Sequence, residues 1–162
     1  MPINRQQIII KRLGWDLDVR TMVNWVISSS KILQPLYQAL HKEVLKNDVL
    51  HADETPTKVI RRPDGRPGTS QARTWLLRTG LDATKPIVYY QSTLDRSQKS
   101  AQKLLANFQG TLITDGYAVY QNLPGISSSY CWAHVRRKFY ESGNNKGTEG
   151  VKIIDQLFLI ER

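Results

Sequence analysis

Residues 50–59 read LHADETPTKV, and this stretch decides the fold. It predicts a β-strand with His51 and Asp53 on one face and Glu54 on the other. A buried strand carries carboxylates only when a cation or a hydrogen-bond donor is paired with them. We therefore interpret Asp53 as a candidate metal ligand. The simpler alternative is a polar residue at the capped end of a strand.

The chain after this strand alternates between strand and helix patterns. RRPDGRPGTS (61–70) has the proline and glycine content of a loop. RTWLLRTG (73–80) and PIVYYQST (86–93) predict two strands joined by a tight turn, so that three successive strands form an antiparallel meander. The remaining predicted elements are a helix over 97–108 capped by Asp95 or Ser97, a strand over 111–114, a short helix from Tyr117, a strand over 127–132, a basic helix over 133–142, a loop over 142–150 and an amphipathic helix from Val151.

Three strands followed by helix, strand, helix, strand and helix is the layout of a ribonuclease H-like domain. We therefore predict an α/β fold with a mixed sheet, in which added parallel strands extend the meander and helices flank the sheet. The first and fourth strands are neighbours in that layout, so Asp53 and Asp115, which ends the fourth strand, should converge. Two nearby carboxylates repel each other unless a proton or a cation lies between them, and their hard oxygens suit Mg²⁺ or Mn²⁺. The alternative for Asp115 is a turn residue, because Asp-Gly is a common turn pair.

Residues 1–47 are predicted to form a helical segment that precedes the ribonuclease H-like core over 48–162. A short helix over 4–13 ends at Gly14, and Asp18 is a suitable N-cap for a second helix. This outline fits a helix-turn-helix in which Arg20 contacts DNA, although spacing alone favours an ordinary helical hairpin. The apolar residues expected to pack inward in this segment are Met22, Val23, Val26, Ile27, Leu36, Leu40, Val44 and Leu45.

Charge and cysteine content restrict the class of partner and the compartment. The chain carries 23 basic and 14 acidic residues, and its net charge of +9 suits a polyanion such as nucleic acid. Arg61 and Arg62 in the predicted loop are candidates for phosphate contacts, with a solvated loop as an equal alternative. No run approaches the ~20 apolar residues of a membrane span. The single cysteine, Cys131, fits a reducing compartment, so we expect a cytoplasmic protein without a membrane partner.

Three ordered motifs carry a resemblance to a known family: HADETP at 51–56, GTLITDGYAVYQNL at 110–123 and CWAHVRRKFYE at 131–141. Together with RLGWDLDVRTMVNWV at 12–26 and LQPLYQALHKEVL at 33–45, they resemble the transposases of the insertion-sequence sixty-six family. These are Asp-Asp-Glu transposases with a ribonuclease H-like catalytic core. The resemblance covers essentially the whole chain. It implies a bacterial, nucleoid-associated enzyme that cleaves and transfers DNA strands at element ends and target DNA with two Mg²⁺ or Mn²⁺ ions.

The resemblance also implies roles for individual residues. Asp53 matches the first catalytic, metal-binding acid and Asp115 matches the second. Glu54 fits the Asp-Glu-Thr pattern of the family, but its position on the other strand face favours a supporting role. For the Cys-x-x-His pair, Cys131 and His134, we expect a structural or DNA-proximal role, with zinc as the alternative. Phosphate contacts are expected from the basic residues of the following helix, with a solvated face as the alternative; these are Arg136, Arg137 and Lys138.

The third acid of the family, a Glu, lies well downstream of the Cys-x-x-His pair in an Asn-rich context followed by Glu-Arg. That context is absent, and Glu161-Arg162 only imitates the dipeptide, so Glu161 is not expected to be catalytic. The cysteine-rich zinc segment of full-length members is absent as well. We therefore expect an internal or truncated fragment with little or no turnover. The alternative is a catalytically inactive remnant that binds DNA, forms a homo-oligomer or associates with an intact transposase.

Overall fold

The structure, a computed structural model, describes residues 1–62, 64–69, 71–143 and 145–160. The chain divides into two compact units, Met1–His41 and Lys42–Arg162. None of the helices in these described ranges is long and apolar enough to cross a membrane. The helical elements described are α1 (Ile3–Arg12), α2 (Val19–Ile32), α3 (Gln34–Val44), α4 (Gln98–Leu104), a 3-10 turn (Ala118–Tyr120), α5 (Trp132–Glu141) and α6 (Asn145–Ile160). The strands described are β1 (Val49–Pro56), β2 (Val59–Arg61), β3 (Pro67–Thr69), β4 (Arg73–Thr79), β5 (Val88–Thr93), β6 (Gly110–Thr114) and β7 (Ile126–Tyr130).

Local signals set the ends of the helices in the first unit. Gly14 has a φ of +90°, a left-handed conformation that glycine adopts without strain, and it follows the end of α1. The side chain of Asp18 accepts a hydrogen bond from the amide of Arg20 at 3.2 Å and caps α2 as predicted. Pro35 lies in the first turn of α3, where its missing amide hydrogen breaks no helical hydrogen bond.

The inward packing predicted for the apolar residues of this first unit is largely wrong. Met22 is buried, but Val26 and Ile27 are 58% and 49% exposed. Leu36 and Leu40, on the predicted stripe of α3, are also exposed. A unit this small has too little apolar surface to cover every apolar position of its helices. The helix periodicity was therefore a correct guide to secondary structure and a poor guide to burial.

The second unit is built around a five-stranded sheet with the strand order β5-β4-β1-β6-β7. Strands β1, β4 and β5 form an antiparallel meander, whereas β6 runs parallel to β1 and β7 runs parallel to β6. This mixed sheet with its flanking helices confirms the predicted ribonuclease H-like α/β fold. Because β1 is the central strand, both of its faces are partly covered, and its polar residues need partners on either side.

One face of the sheet carries the apolar core of the second unit. Glu54 lies on this face, directly opposite Trp75 of β4, while Asp53 lies on the other face. The buried apolar side chains of this core include Leu50, Ala52, Trp75, Leu77, Ala101, Leu104, Leu105, Phe108 and Leu112. The burial alternation along β1 therefore separates the two adjacent acids, as the strand pattern predicted.

Three predicted connections differ from the structure. The interpretation of 61–70 as a loop is wrong at both ends, since β2 and β3 pair there as an antiparallel hairpin. The tight turn predicted between β4 and β5 is a longer connection over 80–87. It is closed by two hydrogen bonds, from the amide of Thr79 to the carbonyl of Ile87 and from the amide of Ile87 to Oγ1 of Thr79. The loop predicted over 142–150 is helical from Asn145 onward.

A close contact between α5 and α6 accounts for a glycine within the helix at position 150. A Cβ atom on Gly150 would lie 2.7 Å from Cδ1 of Phe139, a distance that real Cβ contacts do not reach. Glycine thus allows the aromatic ring of α5 to rest on the backbone of α6. The packing gain offsets the lower helix propensity of glycine, about 1 kcal/mol relative to alanine.

Candidate active site

Asp53 and Asp115 lie at the same level of two neighbouring parallel strands. Strands β1 and β6 pair with Leu50 opposite Leu112 and His51 opposite Ile113. The same register, continued by two residues, sets Asp53 opposite Asp115, which directly follows β6. Adjacent strands are about 4.8 Å apart and residues two positions apart share a face. Continued in this way, the register of β1 and β6, two inner strands of the sheet, matches the positions of the two predicted acids.

Each of these carboxylates is held through one oxygen. Oδ1 of Asp53 accepts a hydrogen bond from the amide of Glu54 at 2.8 Å, and the Asp53 side chain is 48% exposed. Oδ1 of Asp115 accepts a hydrogen bond from the amide of Tyr117 at 2.9 Å, an arrangement typical of an Asx turn. Both acids are thus anchored by the backbone beside them.

The turn after Asp115 has a conformation that favours glycine. Gly116 has a φ of +87°, and a Cβ atom there would lie 2.8 Å from the ring of Tyr130 on β7. The amide of Gly116 donates to Oγ1 of Thr114 at 3.1 Å, and the amide of Cys131 donates to the carbonyl of Thr114 at 2.8 Å. Asp115 is therefore a turn residue, which was the alternative interpretation from the sequence. The turn role does not conflict with its position opposite Asp53 in the continued register.

The Cys-x-x-His pair lies at the start of α5. Nε2 of His134 is 4.0 Å from Oδ2 of Asp53, and its amide donates to the carbonyl of Cys131 at 3.0 Å. Nδ1 of His134 is buried and has no hydrogen-bond partner among the described residues. The imidazole is thus adjacent to Asp53, a proximity that the spacing of the motifs did not predict.

The donor set fits part of a divalent-cation site. Two carboxylates on neighbouring inner strands supply the hard oxygens that Mg²⁺ or Mn²⁺ prefers. Within the described ranges, no three His, Cys, Asp or Glu side chains lie together closely enough to hold a metal ion. Glu161, the residue that imitates the third acid, lies outside the described residues. The described residues therefore offer the two carboxylates and no third ligand beside them.

On the opposite face of β1, Glu54 is the centre of a buried polar cluster. Its side chain is 1% exposed and forms an ion pair with Arg96, whose Nε donates to Oε1 at 2.8 Å. The hydroxyl of Tyr120 donates to Oε2 at 2.5 Å, and the ring of Tyr120 packs edge-on against Trp75 with centroids 6.0 Å apart. The guanidinium of Arg96 stacks on the ring of Tyr117, 3.5 Å from its centroid. Both Glu54 oxygens thus have partners, as burial of a carboxylate requires.

The charges of Asp53 and Asp115 contribute to the pKa shifts of residues in this cluster. Burial, together with the hydrogen bond and the charge of Glu54, raises the pKa of Tyr120 far above its usual range, and the charges of Asp115 and Asp53 add to the effect. Tyr120 therefore stays protonated and remains a donor to Glu54. Burial lowers the pKa of Arg96, but the hydrogen bond and charge of Glu54 outweigh it, and the charges of Tyr117 and Asp115 also contribute to a net rise.

The predicted phosphate contacts are distributed unevenly. Arg20 is exposed on α2, and Arg137 and Lys138 are exposed on α5. Arg136 is instead bound to Asp155 of α6, with Nε 2.6 Å from Oδ1 and Nη2 3.1 Å from Oδ2. Of the two arginines of the predicted loop, Arg62 has a buried Nε without a hydrogen-bond partner among the described residues. The side chain of Arg61 is not among the side chains that the structure describes.

Arg96, Tyr117 and Tyr120 are the residues near the site whose roles the sequence did not reveal. A buried carboxylate at position 54 requires a cationic or hydroxyl partner. The sequence does not identify this partner, because Arg96 lies 42 positions away in a segment where the dominant signal is the cap of α4.

Comparisons with known proteins find similarity over the whole chain. The family profile described as "Transposase IS66 family" matches residues 1–162. Uncharacterized protein y4jD of Sinorhizobium fredii is 31% identical over 100% of this chain. Uncharacterized proteins y4qI and y4hP of the same organism are each 28% identical over 99% of it. The chain spans about a third of the length of these relatives, 35%, 33% and 33% respectively.

Proposed function

This chain belongs to the IS66 transposase family, and from that premise we propose that its second unit carries part of a catalytic site for DNA strand cleavage and transfer. Asp53 and Asp115 are the two carboxylates of this site, and both bind the catalytic Mg²⁺ or Mn²⁺. When bound, such ions activate a water or a 3′-hydroxyl and stabilise the leaving oxygen of an in-line phosphoryl transfer. The DNA partners are the ends of the mobile element and the target.

The observation that supports this proposal best is the register of β1 and β6. Two acids that are 62 positions apart in the sequence become level on adjacent parallel strands. Either residue alone has an ordinary structural explanation, since Asp53 bonds its neighbouring amide and Asp115 closes a turn. A backbone hydrogen bond and a turn do not by themselves account for two carboxylates at matching positions on neighbouring parallel strands.

The site needs a third acid, which we propose is a residue outside those described and other than Glu161. The chain alone should therefore bind a divalent ion weakly and turn DNA over little or not at all. Strand cleavage or strand transfer by the purified chain with Mg²⁺ or Mn²⁺ would contradict this part of the proposal.

The first experiment measures Mn²⁺ affinity from the electron paramagnetic resonance signal of the free ion. Asp53→Asn and Asp115→Asn should each weaken binding roughly tenfold, because each removes one carboxylate from the same ion. Asp48→Asn is the matched control, since it removes the same charge from an exposed residue just before β1, and it should change the affinity less than twofold. Equal affinities for the control and the two site variants would reject the site.

A second candidate function is DNA binding without chemistry, as a remnant that oligomerises or associates with an intact transposase. The exposed Arg137 and Lys138 on α5, together with the net charge of +9, favour it. DNA binding should then be salt-dependent and should survive Asp53→Ala and Asp115→Ala.

The double variant Arg137→Gln, Lys138→Gln should reduce the slope of log affinity against log salt by about two. The double variant Lys99→Gln, Lys103→Gln on α4 has the same charge loss and should leave the slope nearly unchanged. Equal reductions in the two double variants would mean that α5 is not a DNA surface.

A further inference from the structure

A continuous series of contacts runs from buried Glu54 to the turn that holds Asp115. Glu54 forms an ion pair with Arg96, and the guanidinium of Arg96 lies 3.5 Å from the centroid of the Tyr117 ring. The backbone amide of Tyr117 donates the 2.9 Å hydrogen bond to Oδ1 of Asp115. The series thus connects the core face of β1 with the carboxylate that follows β6.

We propose that Glu54 and Arg96 are positioning residues for Asp115, an inference that rests on the metal-site role proposed above for Asp115. Arg96 holds the Tyr117 ring in place, and Tyr117 in turn fixes the direction of the Asp115 carboxylate. Glu54 keeps Arg96 over that ring and away from direct pairing with Asp115. Neither Glu54 nor Arg96 contacts the metal or the DNA in this scheme.

Burial of Glu54 favours this arrangement. The side chain of Glu54 is 1% exposed and that of Arg96 is 34% exposed, so Glu54 has lost nearly all of its hydration and Arg96 has lost part of it. A desolvated charge is costly without its partner, so the pair has a strong preference for its observed geometry. Stacking of a guanidinium on an aromatic ring adds a directional attraction that a simple ion pair lacks. The Asp115 turn is therefore held from the core side as well as by its own backbone.

A positioning role and a simple charge effect predict opposite results for Arg96→Gln. Removing a positive charge close to a cation site should strengthen Mn²⁺ binding if Arg96 acts only through its electric field. Removing a positioning residue should weaken it, because Asp115 loses its fixed direction. Residues that orient metal ligands typically change metal affinity by about 10- to 100-fold, and for a site with an incomplete ligand set we expect the lower end.

The experiment measures Mn²⁺ affinity for the intact chain, Arg96→Gln, Arg78→Gln and Asp115→Asn, with circular dichroism to verify folding. Arg78 lies on β4 opposite His51, so Arg78→Gln is the matched control for loss of a nearby positive charge. We expect roughly tenfold weaker binding for Arg96→Gln and unchanged or tighter binding for Arg78→Gln. Unchanged or tighter binding for Arg96→Gln as well would overturn the inference.

Two further comparisons complete the test. If Arg96→Gln does not fold, Tyr117→Leu decides, since it removes the ring but retains the buried ion pair. Weaker Mn²⁺ binding by Tyr117→Leu supports the inference, and wild-type affinity overturns it. Asp115→Asn separates the two proposals: if it leaves the affinity unchanged, the metal site itself is wrong, whereas if only Asp115→Asn weakens binding, the site remains and the positioning role is rejected.

Discussion

At the scale of single residues, the two adjacent acids of β1 have different environments because a strand alternates its faces. Asp53 is half-exposed beside His134, and Glu54 is buried against Arg96 and Tyr120. The sequence was sufficient to separate the two faces, since the period of a strand is fixed by its backbone. It was not sufficient to identify the partners, because side chains from distant segments provide them.

Gly116 gives a prediction at this scale. Gly116→Ala should destabilise the second unit by about 1–3 kcal/mol, because its φ of +87° strains an L-residue and the new Cβ meets the ring of Tyr130. Gly65→Ala is the matched control, with a φ of +80° and open space around its Cβ position. Urea denaturation should show a larger loss for Gly116→Ala than for Gly65→Ala. Equal losses would mean that the Tyr130 contact contributes nothing.

At the scale of elements, the sequence predicted most helices and strands, and one of its errors lies at the start of α6. Glycine content indicated a loop over 142–150, yet α6 begins at Asn145. Glycine acts there as a contact residue under Phe139 rather than as a helix breaker. Local composition cannot distinguish these two uses, because the second depends on which helix packs alongside.

The ion pair between these two helices gives a pH prediction. The hydrogen bond from Arg136, with its positive charge, holds the pKa of Asp155 below its ordinary value of 3.8. A carboxylate with a depressed folded-state pKa contributes stability above its unfolded pKa and loses it as the pH falls through the folded value. The stability difference between the wild-type chain and Asp155→Asn should therefore be largest above pH 4 and shrink below pH 3.8.

Urea denaturation at several pH values between 5 and 2.5 measures this difference. Asp48→Asn is a suitable control because it removes an exposed carboxylate from a different part of the unit. A difference between wild type and Asp155→Asn that stays constant across the range would show that the pair does not contribute through its charge.

At the scale of the whole molecule, the order of predicted elements determined the strand neighbours of the second unit. The ribonuclease H-like layout that this order indicates has the first and fourth strands as neighbours, and β6 does lie beside β1. Burial in the first unit was not predictable in this way, since Val26 and Ile27 lie at apolar helical positions and are exposed. Periodicity reports which side chains could share a face, whereas burial depends on whether enough surface is available to cover that face.

The central claim is that Asp53 and Asp115 bind one divalent-ion site together, and site-resolved paramagnetic broadening tests it most directly. Mn²⁺ titrated into isotope-labelled chain should broaden the amide resonances of Asp53 and of residues 115–117 in parallel, at concentrations that leave the amides at the start of β1 unaffected. Asp115→Asn should reduce the broadening at Asp53 and at its own turn to the same extent. Broadening at one acid that is independent of the other, or at neither, would contradict the account.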